Sequence, residues 1–560
     1  MLQLNKLKSY WPLLVVLITT LILLRTFAKP GVPMTHDGNN HLARMANFYI
    51  ALKDGHIPPR WAPNLNYEYG YPVFNYNYYL PYKSALPFFV LGLTLEQSFK
   101  IATFLFLFLG GCFFYLWVKR HVHKLAALAG VILYLAAPPQ LLQIFVRGNL
   151  GETAAWAILP LLFFSLDNLF AAKNKKVKYL WWLILALSIL ALMLSHNVVF
   201  LLGLPLLLAY GLISILAQPK KQSGQKTIWG LTAVFVGLGL GAYFLLPAFL
   251  ETSYITLPQV ALSKQFLGHF PSLQQLIFSP WDYGYSEVGL VDGMSFRLGI
   301  VHWFLLILSL GSLIYLLFKK IRLDQKILIW IYFALVFVVS VFLMLNLSSS
   351  FWKFFPTLQK IQFPWRLLVL TTLSISVLAS LVLDFIGKKW LSILAILVVL
   401  ILSFNIAKPQ SYLHQDDYMY IAFPFTTSVN HENLPIGFDM AHNAEYKEKL
   451  ADTKKQANFD IKTWKTQLHE YKIISSENTT IIEHTAYFPG WEVWVDDQKA
   501  EINNQYPNYP GLISYQIEQG NHQVKTALTE NTPARKIGDI ISLLSILAVI
   551  GVGGWILIKK

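Results

Sequence analysis

Apolar runs of about 17 residues or more recur along this chain from Trp11 to its last residues, each long enough to cross a hydrocarbon core about 30 Å thick. Only 13% of the 560 residues are charged against 55% hydrophobic, about half the charge that soluble domains carry. The chain therefore reads as a polytopic α-helical membrane protein, and a purely cytosolic enzyme is excluded. The candidate spans are Trp11 to Phe27 and about 98–118, 125–145, 153–171, 179–196, 198–217, 228–249, 300–318, 327–346, 365–386, 390–406 and 537–558, about twelve in all. The first run follows Lys6 and Lys8 as a signal peptide would, but no small-residue cleavage site comes after it. It reads as an uncleaved first helix with Arg25 near its outer end.

The formal charge of +15 invites the thought of nucleic acid, but the basic residues sit in short clusters between apolar runs, where topology explains them. No nucleic-acid partner is expected. Alternate connections are basic: Lys119, Arg120 and Lys124; Lys173 to Lys178; Lys220, Lys221 and Lys226; Lys319, Lys320, Arg322 and Lys326; Lys388 and Lys389; Lys559 and Lys560. The positive-inside rule makes these cytoplasmic, with both termini inside. The other connections then face outward, including long loops at about 29–97 and 250–299 and a polar segment at about 407–536. Ser84 to Leu95 is too short to span and reads as re-entrant or interfacial. No internal repeat of the transporter kind is visible.

After Pro409 the pattern alternates, as in Thr480-Ile-Ile-Glu-His and Trp491-Glu-Val-Trp-Val, with turn signals at Pro489-Gly490, Asp496-Asp497 and Gly520-Asn521. This predicts a C-terminal extracytoplasmic β-rich domain over 407–536, with a helix from roughly Ala444 to Lys455, and a final span with a cytoplasmic tail over 537–560. Cys112 is the only cysteine and lies inside an apolar run, so neither an intrachain disulfide nor a cysteine metal cage holds that domain.

Three outward points carry candidate chemistry. In the first loop, Thr35-His36-Asp37-Gly38-Asn39-Asn40-His41-Leu42-Ala43-Arg44 precedes an apolar-periodic stretch that ends at Lys53 and Gly55. A helix starting near Asn39 puts Asp37 at its N-terminus, close to His41 and Arg44, either as a general base at the membrane surface or merely as a cap. A metal pair of His36 and His41 has a spacing of five that matches no strong ligand pattern, and a third ligand is not evident. Further on, Pro59-Arg60-Trp61, Tyr67 to Pro72 with Tyr71, and Phe74 to Tyr79 are dense in polar-tipped aromatics. These suit an interfacial belt and, equally, a groove for a sugar or lipid headgroup. The third point is Arg147-Gly148-Asn149-Leu150-Gly151-Glu152, where Arg147 can clamp a phosphate and Glu152 is either a second carboxylate near Asp37 or the partner of Arg147. His196 with Asn197, and Arg366, are further polar residues at span ends, open to a structural or a binding role.

These residues resemble the GT-C class of integral-membrane glycosyltransferases: an outward Asp soon after the first span, an interfacial helix behind it and an acidic residue at the next outward turn. More closely, His36-Asp37-Gly38 with His41, Arg147-Gly148 with Glu152, Ser195-His196-Asn197, Ser279-Pro280-Trp281-Asp282-Tyr283-Gly284 and Gln362-Phe363-Pro364-Trp365-Arg366 resemble bacterial membrane proteins related to 6-pyruvoyl-tetrahydropterin synthase. Tyr487-Phe488-Pro489-Gly490-Trp491 with Val495-Asp496 is similar to the end of YfhO-type proteins. The resemblance implies a GT-C-like module over 1–406 that transfers a sugar from a polyprenyl-phosphate-linked donor to an envelope glycan or polymer. It implies Asp37 as base or acceptor-orienting residue, and adds Asp282 to the binding residues. The first loop has no Asp-Glu or Asp-x-Asp pair, so the sequence admits a divalent metal without requiring one. Two rival classes stand beside this: a transporter or flippase of a lipid-linked or amphipathic substrate, and a noncatalytic glycan-binding envelope protein.

The topology is directly testable. A Met440→Cys substitution on a Cys112→Ser background is expected to react with an impermeant maleimide added outside intact cells. Labelling only from the cytoplasmic side would invert the map.

Overall fold

The computed structural model describes residues 11–216, 220–260, 264–289, 291–428, 430–443 and 448–558. Lys6, Lys8, Lys559 and Lys560 lie outside them. Among the described residues nine helices are long and apolar enough to span a membrane: Leu95–Val118, Lys124–Arg147, Leu150–Ala171, Lys175–Met193, Asn197–Leu216, Ile300–Phe318, Gln325–Met344, Pro364–Ile386 and Pro533–Gly554. Ser223–Leu240 and Ala242–Leu250 form a further pair bent by 67°, and Trp11–Leu23 and Lys389–Phe404 are shorter apolar helices. Helix ends coincide with capping residues: Thr94 and Gln97 form a capping box, and Asn149, Asn174 and Asp324 accept from the first turns of their helices.

Lys124–Arg147 and Pro364–Ile386 are almost wholly buried and form the centre of the bundle. They approach closely because Gly130 faces Ser376 and Ser380, so a side chain at 130 would run into Ser380. Small residues at a helix crossing are how packing replaces the hydrophobic effect in lipid. Ser84 to Leu95 is no span: it falls in a helix Leu80–Val90 and the turn that leads to Thr94.

Two antiparallel sheets make up the C-terminal region. One has five strands in the order Ala457–Lys465, Leu468–Ser475, Gly520–Leu528, Trp491–Val495, Gln498–Ala500, and the other has Leu450–Asp452, Thr479–Ala486, Leu512–Ile517. Over 448–455, the described part of the expected helix Ala444–Lys455, no helix is formed. Residues 444–447 lie outside the described ones, a short helix covers Met440–Asn443, and Leu450–Asp452 pairs with Thr479–Ala486. Cross-strand pairing there overrides a locally helix-favouring composition. The two sheets are joined by Glu483, whose buried carboxylate accepts from His469 Nδ1 at 2.6 Å, Tyr471 Oη at 2.9 Å and Thr526 Oγ1 at 2.7 Å. Burial alone would raise the Glu483 carboxyl, but His469 and these donors hold it below its ordinary range.

The sheets are clamped to the helical part by a second buried network. Arg535, at the start of the last span, donates to Glu251 Oε2 at 3.2 Å, to Thr529 O at 2.8 Å and to Pro489 O at 2.9 Å. Glu251 ends the bent helix pair and also accepts from Asn75 and Thr532. With side-chain exposures of 0% for Arg535 and 2% for Glu251, neither charge can fall back on water. Removing one partner, as in Glu251→Ala, is therefore expected to destabilise the protein by about 3–5 kcal/mol. Thermal unfolding in detergent measures it, and an unchanged midpoint would show that the clamp is dispensable.

Candidate functional site

The helix Gly38–Lys53 begins where expected, with Asp37 at its N-cap position, yet the Asp37 side chain makes no capping hydrogen bond. The backbone takes that carboxylate elsewhere. His36 N donates to Val146 O at 3.0 Å and Asp37 N to Arg147 O at 2.8 Å, which zips residues 36–37 onto the end of the span Lys124–Arg147. That end is a π-helical turn, Gln143–Arg147, a wide turn of the kind often found at functional sites, and the chain leaves it through Gly148 at φ +63°. A side chain at Gly148 would collide with Thr35, so glycine permits both the left-handed turn and the close approach.

This docking brings Asp37, Arg147, Asn149, Glu152, His196 and Arg366 together. They sit at the end of the bundle away from the Lys/Arg-rich connections, because 119–124 and 172–174 lie at the opposite ends of the spans that 148–149 joins. Asn149 Nδ2 donates to Asp37 Oδ2 at 3.1 Å, while Asn149 Oδ1 accepts from Glu152 N at 2.8 Å and Tyr78 Oη at 3.3 Å. Arg147 binds Glu152 Oε2 at 2.7 Å and Gln143 Oε1 at 2.5 Å, lies 4.0 Å from Asp37 Oδ2, and has its guanidinium 4.6 Å from the centroid of the Trp365 ring. Glu152 Oε1 faces His196 Nε2 at 3.5 Å and Arg366 Nε at 3.8 Å, too long for firm hydrogen bonds. Among the described residues, Glu152 Oε1, Arg366 Nε and Trp365 Nε1 are buried polar atoms without a hydrogen-bond partner. A bound anion can satisfy two of the three.

Exposure separates the two carboxylates. The Asp37 side chain is 29% exposed and that of Glu152 4%. Asp37 is open to solvent, whereas Glu152 is buried, paired with Arg147 and facing Arg366 and His196. Of the two readings of Glu152, catalytic carboxylate or partner of Arg147, the structure contains the ion pair with Arg147, and the second oxygen is turned toward Arg366.

The histidines do not form a metal pair. His36 Nε2 lies 3.1 Å from Tyr283 O with its ring stacked 4.1 Å from Tyr285, and His41 Nδ1 shares a hydrogen bond with Tyr82 Oη at 3.0 Å. Burial, with the Arg44 guanidinium adding to it, brings the His41 imidazole down to about 3, so this ring is neutral at neutral pH. Among the described residues no group of three or more His, Cys, Asp or Glu is arranged to hold a metal ion. A divalent ion at this end would depend on substrate oxygens for much of its shell.

Several expected binding residues are placed elsewhere. Arg60 is not beside Asp37: it binds Glu530 at 2.8 Å, Asn75 at 3.1 Å and Tyr243 O at 3.3 Å, and joins the clamp around Glu251. Trp61 is buried edge-on to Trp491 at 5.6 Å, so at this point the aromatic run packs against the C-terminal sheets. Arg44 and Tyr71 both bond Thr427, at 2.7 and 2.6 Å. Asn197 donates to Tyr76 O at 2.8 Å, and the exposed Asp282 accepts from Tyr283 N at 2.8 Å. Sequence reasoning missed Asn149 as the group that orients Asp37, and missed Gln143 and Trp365 as the supports of Arg147. Gln143 stands four residues before Arg147, on the same helix face, which was the available signal.

No protein-family model matches the chain. An uncharacterized protein of Lactococcus lactis subsp. cremoris (strain MG1363) is 28% identical over 242 residues, which covers 42% of this chain and 38% of that protein. Among solved structures, the arabinofuranosyltransferase AftD from Mycobacteria is similar at 15% identity and a TM-score of 0.45, over 71% of this chain and 26% of that one. The Archaeoglobus fulgidus oligosaccharyltransferase AglB, solved with an inhibitory peptide and a dolichol-phosphate, is similar at 14% identity and a TM-score of 0.45, over 77% of this chain and 62% of that one. The chain thus spans less than two thirds of each of these proteins, and the likeness to the two solved structures is a distant one of fold.

If Glu152 is the anchor of this end, Glu152→Ala leaves Arg147 buried without its carboxylate and is expected to cost about 3–5 kcal/mol of stability, with Gln intermediate. Detergent thermal denaturation tests this. A Glu152→Ala protein as stable as the wild type but inactive would return Glu152 to the chemistry.

Proposed function

We propose that this protein is a GT-C-type membrane glycosyltransferase, transferring a sugar from a polyprenyl-phosphate-linked donor to an envelope glycan or polymer at the outer membrane surface. One observation carries the reading: Asp37, freed from capping and held by Asn149, stands 4.0 Å from Arg147 in a cluster where Arg366 Nε has no hydrogen-bond partner among the described residues. A carboxylate beside a guanidinium pair suits a reaction in which a proton leaves one partner while negative charge grows on the other.

In this mechanism the acceptor hydroxyl oxygen attacks the anomeric carbon, and its proton passes to the Asp37 carboxylate. The bond from that carbon to the phosphate oxygen breaks, and its electron pair leaves with the lipid phosphate. Arg366, seconded by Arg147, stabilises that leaving group, because a phosphate needs cations more than it needs a proton. Glu152 keeps the two guanidiniums from separating. The position of these residues at the end opposite the basic connections, together with the positive-inside rule, supports a reaction outside, where an activated sugar must arrive on a lipid. The distant likeness to AftD and to the A. fulgidus enzyme agrees with the proposal without carrying it.

Asp37→Asn keeps the shape of the side chain and removes the base. Turnover of a synthetic polyprenyl-phosphate sugar is expected to fall about 100-fold or more with donor binding nearly unchanged. Arg366→Ala is expected to weaken donor binding as well, by roughly 2–3 kcal/mol, with Lys a poor substitute because it cannot form paired bonds. Full transfer by a folded Asp37→Asn protein would refute the catalytic role and favour the transport reading.

A further inference from the structure

A second pocket, of about 220 Å³, lies at the other end of the Gly38–Lys53 helix, in the seam between the first loop and the five-stranded sheet. The groups that can meet a ligand there are Asp54, Asn64, Glu68, Lys449, Trp464 and Lys465. Asp54 fastens the seam, accepting from Thr466 N and Oγ1 at 2.7 Å through one carboxylate oxygen. Trp464 is held still, stacked 3.9 Å from His469 with the Lys449 ammonium 5.2 Å from its ring centroid. Among the described residues, neither the Glu68 carboxylate nor the Lys449 ammonium has a hydrogen bond or an ion pair, while the Lys449 carbonyl accepts from His484 N at 3.1 Å.

The rim of this pocket is also strained. Asn66, Tyr67 and Glu68 are three consecutive non-glycine residues at φ +57°, +53° and +63°. Each such residue costs of order 1 kcal/mol, and such costs persist where the surroundings enforce them. Here Asn66 N and Tyr67 N donate to Phe425 O and Pro424 O, and Ala486 N of the sheet region donates to Tyr69 O. The turn is held from both sides, and it delivers Glu68 and Tyr69 to the pocket.

The lining excludes most ligand classes. Two carboxylates repel an anion, two ammoniums repel a cation, and the largely polar wall offers little to a hydrocarbon. A neutral polyol fits, because its hydroxyls donate to Asp54 and Glu68 and accept from Lys449 and Lys465, with the indole as the apolar wall. The volume lies below the roughly 300 Å³ at which drug-sized sites begin, so it admits about one sugar ring. We infer that this seam is a saccharide-binding site, distinct from the Asp37 cluster, that takes one neutral pyranose of a polymeric acceptor. The helix Gly38–Lys53 has 16 residues, about 24 Å at 1.5 Å per residue, so one sugar cannot touch both ends and only a polymer can. Its role as an acceptor subsite rests on the transferase proposal; the binding itself does not.

The test uses the purified full chain in nanodiscs of zwitterionic lipid, titrated with methyl glycosides of glucose, galactose, rhamnose and N-acetylglucosamine and read by saturation-transfer NMR. At least one glycoside is expected to bind weakly. Glu68→Gln and Lys449→Gln, both on exposed side chains, should each weaken it about five-fold, the worth of one hydrogen bond, while Asp37→Asn leaves it unchanged. Binding of none of the four, binding undiminished in both variants, or binding of inorganic phosphate in preference to all four would overturn the inference. Glycoside binding without any transfer by the wild type would instead remove the transferase proposal and leave the saccharide site standing.

Discussion

In hydrocarbon no backbone amide or carbonyl can go without an internal partner, so the spanning parts of this chain are helices and its irregular backbone collects at their ends. Every feature with chemical potential follows from that constraint. The π-turn at Gln143–Arg147, the left-handed Gly148 and the strand-like zipper of residues 36–37 onto 146–147 all stand where the helical bonding of a span stops. The carbonyls of Val146 and Arg147, left over at a helix end, are what the first loop uses to dock. Asp37 owes its position to these orphan groups more than to any attraction for its own carboxylate.

Two buried arginine–carboxylate pairs then hold the ends of the bundle, and they do different work. In the Arg535–Glu251 pair both carboxylate oxygens are bonded, by Asn75, Thr532 and Arg535, and the Arg535 Nη atoms also reach backbone carbonyls, although Arg535 Nε has no hydrogen-bond partner among the described residues. The Arg147–Glu152 pair differs. One oxygen of Glu152 faces Arg366 and His196 beyond good hydrogen-bonding distance. A network whose carboxylate is bonded through both oxygens fixes geometry, whereas one with an unpartnered carboxylate oxygen, in a cluster that also holds the partly exposed Asp37, has capacity left for a ligand. That contrast, between networks of similar burial and composition, distinguishes the candidate site from the clamp.

The spans were legible because period, length and apolar content all point the same way, and the expected runs are largely helical in the structure, apart from a break at 136–137 and the 67° bend between Leu240 and Ala242. Leu450–Asp452 was misread as helix because its partner strand lies about 30 residues on, at Thr479–Ala486, and pairing at that distance leaves no local trace. Arg60 and Trp61 were legible as a polar-aromatic pair but not as to place: both are drawn toward the C-terminal region by Glu530 and Trp491, more than four hundred residues away in the chain. Asp37 could be placed at a helix N-terminus from sequence, yet whether it caps depends on the backbone around Gly38 and on Asn149. The motif shows the residue types, and the docking of loop on span decides their roles.

The first-loop helix ties these parts into one argument. Its N-terminus is fixed to the central span by backbone bonds at residues 36 and 37, and its C-terminus is fixed to the five-stranded sheet through Asp54 and Thr466. Arg44, in its second turn, is fixed in addition to Thr427, in the connection between the helical part and the sheets. A helix held at both ends and near its start cannot rotate without breaking buried hydrogen bonds in two regions at once. It therefore acts as a rigid spacer between Asp37 and the seam, and a chain bound in the seam would meet Asp37 at a set distance. Movement of the sheets relative to the bundle would carry the helix with them and strain the zipper at 146–147, so the geometry of Asp37 is coupled to the C-terminal region through backbone rather than through side chains. A loop in place of this helix would transmit no such constraint.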